Sequence, residues 1–133
     1  MEGYIKKINE KGNIAIEDTI LVKGIEMTAG SHILEGFKPL FSAEAISRLE
    51  DKGYLISGKT HVGEFGLDLV GEFSHYAVSQ ENLKGAAASL VKDGKTKVAL
   101  GVDVNGSPRR AAAMSNVDFL KPTYGIVSRY GIV

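Results

Sequence analysis

Cysteine is absent from the 133-residue chain, which removes disulfides and thiolate metal sites and gives no sign of an oxidising compartment. Neither sign of charge is in excess. With 16 Lys plus Arg against 16 Asp plus Glu there is no global field to gather nucleic acid or an anionic membrane, so no direct nucleic-acid partner is expected. Long hydrophobic runs are missing too, and Met1-Glu2-Gly3-Tyr4 lacks the pattern of a secretion signal. The expected location is therefore cytoplasmic, with no membrane contact. No internal repeat, low-complexity tract or linker interrupts the chain, and its length suits a single domain over residues 1–133.

What is present is an alternation of apolar runs and helical segments. Tyr4 to Ile8 and Ile14 to Ile16 flank Lys11-Gly12-Asn13 and read as a hairpin, with Thr19 to Val22 a further strand. Ser42 reads as an N-cap for a helix from about Ala43 to Lys52, with Ile46 and Leu49 on one face and Gly53 at its end. Tyr54 to Ser57 then reads as a buried strand, Thr60 to Phe65 as a short helix, and Gly66 to Asn82 as mostly loop. Leu83 to Lys92 is helical by its alanines, Lys97 to Leu100 is a strand, and Val117 to Leu120 a last one. Such alternation predicts an α/β fold, a mixed, largely parallel sheet with flanking helices.

Chemistry concentrates between Leu100 and Arg110. An apolar run enters a loop of Gly101, Asp103, Asn105 and Gly106, and Ser107-Pro108 opens an alanine-rich helix. Successive N–H groups at a strand-to-helix turn converge on one point, where they can hold a carboxylate, a phosphate or the oxyanion of a reacting carbonyl. The same residues also make a plain helix start, with Ser107 as N-cap and Pro108 at the first helical position. Arg109 and Arg110 run against the helix dipole, which suits a bound anion or simply solvated side chains.

Gly53 to Thr60 formally fits the phosphate-loop spacing G-x-x-x-x-G-K-[ST]. The context is wrong, because a helix precedes Gly53 and the intervening residues are strand-like. Lys59 is of interest for another reason: an amine just past a buried strand is partly desolvated, which lowers its pKa toward the range of a general base. His32, His61 and His75 show neither metal-ligand spacing nor carboxylates arranged as ligands, and read as surface or loop histidines. No metal or cofactor is expected.

Taken together these residues resemble the amidase signature family, most closely its amidotransferase branch. The resemblance rests on Ile14-Ala-Ile-Glu-Asp18, Lys23-Gly-Ile25, Gly30-Ser31, Gly58-Lys-Thr60, Glu64-Phe65, Leu100-Gly-Val-Asp103, Gly106-Ser107 and Arg109. Its most specific part is Leu120-Lys-Pro-Thr-Tyr-Gly125 with Val127-Ser-Arg-Tyr-Gly131, and only the first dozen residues fall outside it.

The resemblance implies amide hydrolysis through a serine, a second serine in a cis peptide and a lysine. It puts Ser107 at the nucleophile, Lys59 at the base, and the N–H groups of Val104, Asn105 and Gly106, with Arg109 nearby, at the oxyanion site. A serine hydroxyl is a weak nucleophile until a neighbour takes its proton, which a neutral lysine relayed through a hydroxyl does. Here the relay departs from the pattern. Counting back without a gap, the family's G-G-S-S-G-G-S becomes Glu81 to Ala87, with Leu83 at the bridging serine and Lys84 beside it. Leucine cannot pass a proton, and the flanking glycines are gone. The family lysine of the I-A-I-K-D run is Glu17, Asn105 replaces the first glycine of the diglycine, and Pro108 replaces an isoleucine. The segment between Phe65 and Leu83 is shorter than in the family, whose members also continue well beyond the counterpart of Val133. The expectation is a truncated, non-catalytic relative acting in binding or assembly, as a homo-oligomer or with a separately encoded amidase-like or amidotransferase partner. The alternative is a residual amide hydrolase or amidotransferase subunit using a Ser107–Lys59 dyad, alone or completed by a partner chain.

Overall fold

In a computed structural model, residues 3–67, 73–76 and 85–133 are described. Four strands form one sheet, β1 (Tyr4–Lys7), β2 (Ile14–Glu17), β3 (Ile56–Thr60) and β4 (Val98–Leu100), in the order β1-β3-β2-β4. β2 runs parallel to both β3 and β4, whereas β1 is antiparallel to β3. Among the described residues the α-helices are α1 (Glu44–Asp51), α2 (Ala86–Lys92) and α3 (Ser107–Ser115). The architecture is thus the mixed, mostly parallel α/β sheet that the alternation predicts.

β1 and β2 do not form the expected hairpin, because β3 lies between them. Every residue of β2 and of β3 is buried, as in strands covered on both faces, whereas β1 carries the exposed Lys6 and belongs at an edge. The turn residues straddle β3 instead of closing a ribbon. Ile8 and Asn9 donate to the Ser57 carbonyl at 2.9 and 3.2 Å, and Asn13 donates to the Leu55 carbonyl at 3.2 Å.

The sheet has an apolar layer on each side. Ile14 and Ile16 of β2, Ile56 of β3, and Ile20 and Val22 pack with Ala43 and Ile46 at α1, while Ala15 and Tyr4 pack with Leu90 of α2. Burying Ile46 contributes about 1.5–3 kcal/mol, and it is what seats α1. The expected N-cap of α1 moves by one residue. Ser42 Oγ accepts the Lys23 N–H at 3.0 Å, and Ala43 occupies the cap position without a side-chain bond. Gly53, at φ 80°, ends the helix as expected.

Three other expectations are corrected. Tyr54 and Leu55 are exposed, and the strand starts only at Ile56, because the chain first closes α1 through the Tyr54 N–H to the Leu49 carbonyl at 3.0 Å. Thr60 to Phe65 holds no helix beyond a single 3-10 turn at Glu64–Gly66, since Thr60 is itself the last residue of β3. Thr19 to Val22 and Val117 to Leu120 are not strands; between them only Ile20 pairs, in an isolated bridge with Ile132. That bridge shows how the tail docks. Val133 N–H donates to the Thr19 carbonyl, Leu21 N–H to Gly131 and Glu44 N–H to Tyr130, while the Tyr130 ring stacks on Phe41 with centroids 5.1 Å apart. Leu120, Tyr124 and Ile126 nevertheless stay 86, 79 and 72% exposed. Most of the predicted loop from Gly66 and the start of the helix predicted from Leu83 lie outside the described residues. Gly85 is the cap of α2.

Candidate active site

β2, β3 and β4 run in the same direction, so their C-terminal ends open on one side of the sheet, where ligands of open parallel sheets bind. Glu17, Thr60 and Leu100 end these strands, and the residues just beyond them carry the polar chemistry.

Lys59, one residue before the end of β3, is sealed from solvent. Its Nζ donates to Asp18 Oδ1 at 2.9 Å, and the two side chains are 0 and 1% exposed. The other Asp18 oxygen accepts three more bonds, from the Thr28 N–H and hydroxyl at 2.9 and 2.7 Å and from the Ala29 N–H at 3.1 Å. Burial pulls the Lys59 amine below the usual lysine range, and the Asp18 carboxylate opposes it. The expected desolvated lysine is therefore present, but inside β3 and not past its end. The Gly58-Lys59-Thr60 run is buried strand, so the phosphate-loop spacing is accidental here.

His61 corrects the surface reading of the histidines. It is 8% exposed, its Nδ1 and the hydroxyl of the neighbouring Thr60 have no partner among the described residues, and burial depresses its pKa. His32 and His75 are exposed as expected, with ring centroids 4.2 Å apart.

Ser107 is the first residue of α3, not its cap. The cap is Gly106, at φ 99°, a left-handed conformation that other residues adopt only with strain. The turn is organised by Asp103. Its Oδ1 accepts the Gly106 N–H at 2.8 Å, and its Oδ2 lies 2.8 Å from both Arg109 Nε and Lys121 Nζ. Burial works upward on this carboxyl, but Lys121, the Gly106 N–H and Arg109 outweigh it and hold the pKa below its ordinary value. Gly106 N–H and Arg109, both expected at an anion site, are thus directed at a carboxylate of the chain itself. Val104 is exposed, and Asn105 Nδ2 donates to the Leu67 carbonyl at 3.3 Å.

The structure therefore brings Gly106, Ser107 and Arg109 together around Asp103, and Lys59 together with Asp18. Among the described residues no hydrogen bond joins Lys59 to Ser107. The relay position, Leu83, lies outside them, as does Lys84. Asp18 is the buried partner of Lys59 that sequence reasoning misses, although an acidic residue directly after the fully buried Ile14-Ala-Ile-Glu strand signals a carboxylate that needs an internal partner. Among the described residues no group of three histidines or carboxylates could hold a metal ion, and no helix is long and apolar enough to cross a membrane.

Comparisons with known proteins identify the family. The amidase family model matches residues 13–133, and the chain belongs to that family. Among its members, the A subunit of glutamyl-tRNA(Gln) amidotransferase from Persephonella marina is 43% identical over 129 residues, which cover 90% of this chain and 27% of the relative. Its counterpart in Methanosarcina acetivorans is 41% identical over 145 residues, covering 96 and 30%. The crystal structure of the Thermotoga maritima counterpart superposes with a TM-score of 0.83 at 32% identity, covering 98% of this chain and 33% of that one. The chain thus spans about a third or less of these proteins.

Proposed function

We propose that this chain is a non-catalytic amidase-type module that acts in assembly. What carries the reading is the fate of the lysine proton. Lys59 Nζ is fully buried and committed to Asp18, and counting back without a gap from Ser107 puts a leucine, Leu83, at the family's relay serine. Losing a relay group costs orders of magnitude in rate. The exposed apolar residues near the tail, Leu120, Tyr124, Ile126 and Tyr130, support an assembly role, since a surface of this kind is usually covered by another chain. The partner is a second copy or an amidotransferase-type chain, by analogy with relatives that are themselves named as subunits.

One observation favours the dyad reading. Burial lowers the Lys59 pKa, and a neutral amine is what a base for Ser107 requires. Glutamine and simple amide hydrolysis by the purified chain, together with labelling by a fluorophosphonate probe, separate the two. The expected result is turnover at background and no label. Labelling that disappears in Ser107→Ala would establish the dyad instead.

A further inference from the structure

Asn105 and Gly106 form the only asparagine–glycine pair in the chain. Where the family has two glycines, this chain carries a side-chain amide directly before a residue without a Cβ, at the start of α3. The pairing has chemistry of its own. A main-chain nitrogen that follows asparagine attacks the side-chain carbonyl carbon and closes a five-membered imide, and glycine offers that nitrogen with no side chain in the way. Asn105 is exposed, so water reaches its amide, and among the described residues Nδ2 makes one long bond, to the Leu67 carbonyl at 3.3 Å.

What the fold controls is the nitrogen. The Gly106 N–H donates to Asp103 Oδ1 at 2.8 Å, and it must leave that carboxylate before the nitrogen loses its proton and turns toward Asn105. Asp103 is itself fixed, because its other oxygen lies 2.8 Å from both Arg109 Nε and Lys121 Nζ. Arg109 comes from α3 and Lys121 from the segment that follows it, so the carboxylate is anchored from two sides. Two cations also make it a weak base, so it restrains the nitrogen and does not activate it.

We propose that Asn105–Gly106 is a self-modification site whose rate is set by Asp103. The Gly106 nitrogen gives its proton to solvent and bonds to Asn105 Cγ; the Cγ–Nδ2 bond breaks, and Nδ2 takes up a proton and leaves as ammonia. Water then opens the imide. Attack at Cγ leaves an aspartate, whereas attack at the main-chain carbonyl of Asn105 leaves an isoaspartate, with an extra methylene in the main chain. Water is the one co-reactant. Either product sets a second carboxylate two residues from Asp103, and the isoaspartyl link also displaces Gly106, the cap at φ 99° from which α3 and Ser107 start. The change is one-way, and it falls in the turn that the resemblance assigns to the oxyanion.

Mass spectrometry with peptide mapping tests this on the whole chain, kept folded at pH 8 and, in parallel, unfolded in urea. Replacement of the Asn105 amide by an acid should proceed in the folded chain, more slowly than in urea. In folded Asp103→Ala it should run about tenfold faster than in the folded wild type, the effect of freeing an N–H from a charged acceptor. Asn9, Asn13 and Asn116, which precede Glu10, Ile14 and Val117, are internal controls and should stay intact. Asp93-Gly94 forms an imide without a net change of mass, so the mass gain reports asparagine alone. No product in the folded chain after about a hundred of the half-lives seen in urea, equal rates folded and in urea, or no acceleration in Asp103→Ala would each overturn the proposal. The folded and unfolded wild-type chains decide alone if the variant does not fold.

Discussion

Two consecutive carboxyl side chains, Glu17 and Asp18, sit at the same end of β2, both nearly inaccessible to solvent, yet they are held by opposite means. Asp18 faces a lysine ammonium and three further donors, so its charge is matched inside the protein. Among the described residues Glu17 has one hydroxyl and one amide. The lesson is that equal burial does not mean equal support: adjacent residues receive different sets of donors because they point to different sides of the chain.

The sharpest way to break this contrast is to remove the charge that is matched. Asp18→Asn leaves the Lys59 ammonium buried without its counter-charge, and urea unfolding at pH 7 should show a loss of about 3–5 kcal/mol. Adding Lys59→Met to that variant should recover most of the loss, since the stranded charge is then gone. A double variant no more stable than Asp18→Asn would mean that the Thr28 and Ala29 bonds to Asp18 dominate, not the ion pair.

Glu17→Gln should move stability the other way. Because the folded-state pKa of Glu17 is raised, the folded protein holds a proton that the unfolded chain releases above about pH 4.5. Wild-type stability therefore falls as pH rises from there toward the folded value. Glutamine has no proton to lose, so the variant should match wild type near pH 4 and exceed it at pH 8, read from thermal unfolding at the two pH values. Equal differences at both would mean that Glu17 takes up no proton on folding.

The smallest effect belongs to Asp103, whose cationic partners are half exposed. Asp103→Asn should cost about 1 kcal/mol or less at pH 7. Its pKa is held down, so its contribution is present above about pH 3.8 and lost as pH falls through the lower folded value. The gap between variant and wild type in chemical denaturation should close in acid. This is the reverse of the Glu17 pattern.

The contrast also marks how far the sequence could be read. The α/β class, α1, β4 and the Ser107 helix start follow from local pattern: the shared face of Ile46 and Leu49, Gly53, and Ser107-Pro108. Lys59 as a desolvated amine follows from its strand. What local pattern does not carry is pairing between distant segments. The hairpin expected around Gly12 fails because β3, some forty residues later, takes the place beside both strands, and the Ser42 cap fails because Lys23 claims its hydroxyl. His61 reads as a loop residue until β3 is extended to Thr60, which carries the next side chain into the interior. The anion-site reading of Gly106 and Arg109 overlooks Asp103, three residues before the glycine, which occupies both.

The place of β3 between β1 and β2 also governs the order in which the chain becomes structured as it is synthesised. Neither early strand has a neighbour until Ile56–Thr60 has emerged, and β2 stays open along its other side until Val98–Leu100 arrives. Parallel pairing across such separations closes long loops before it gains any ladder, which slows it relative to a hairpin. A ribosome-bound chain that has emerged only as far as α1 thus carries two unpaired strands and an amphipathic helix without a surface to rest on. Its exposure to chaperones and to aggregation ends in two steps, first when β3 joins β1 to β2 and then when β4 covers the remaining edge of β2.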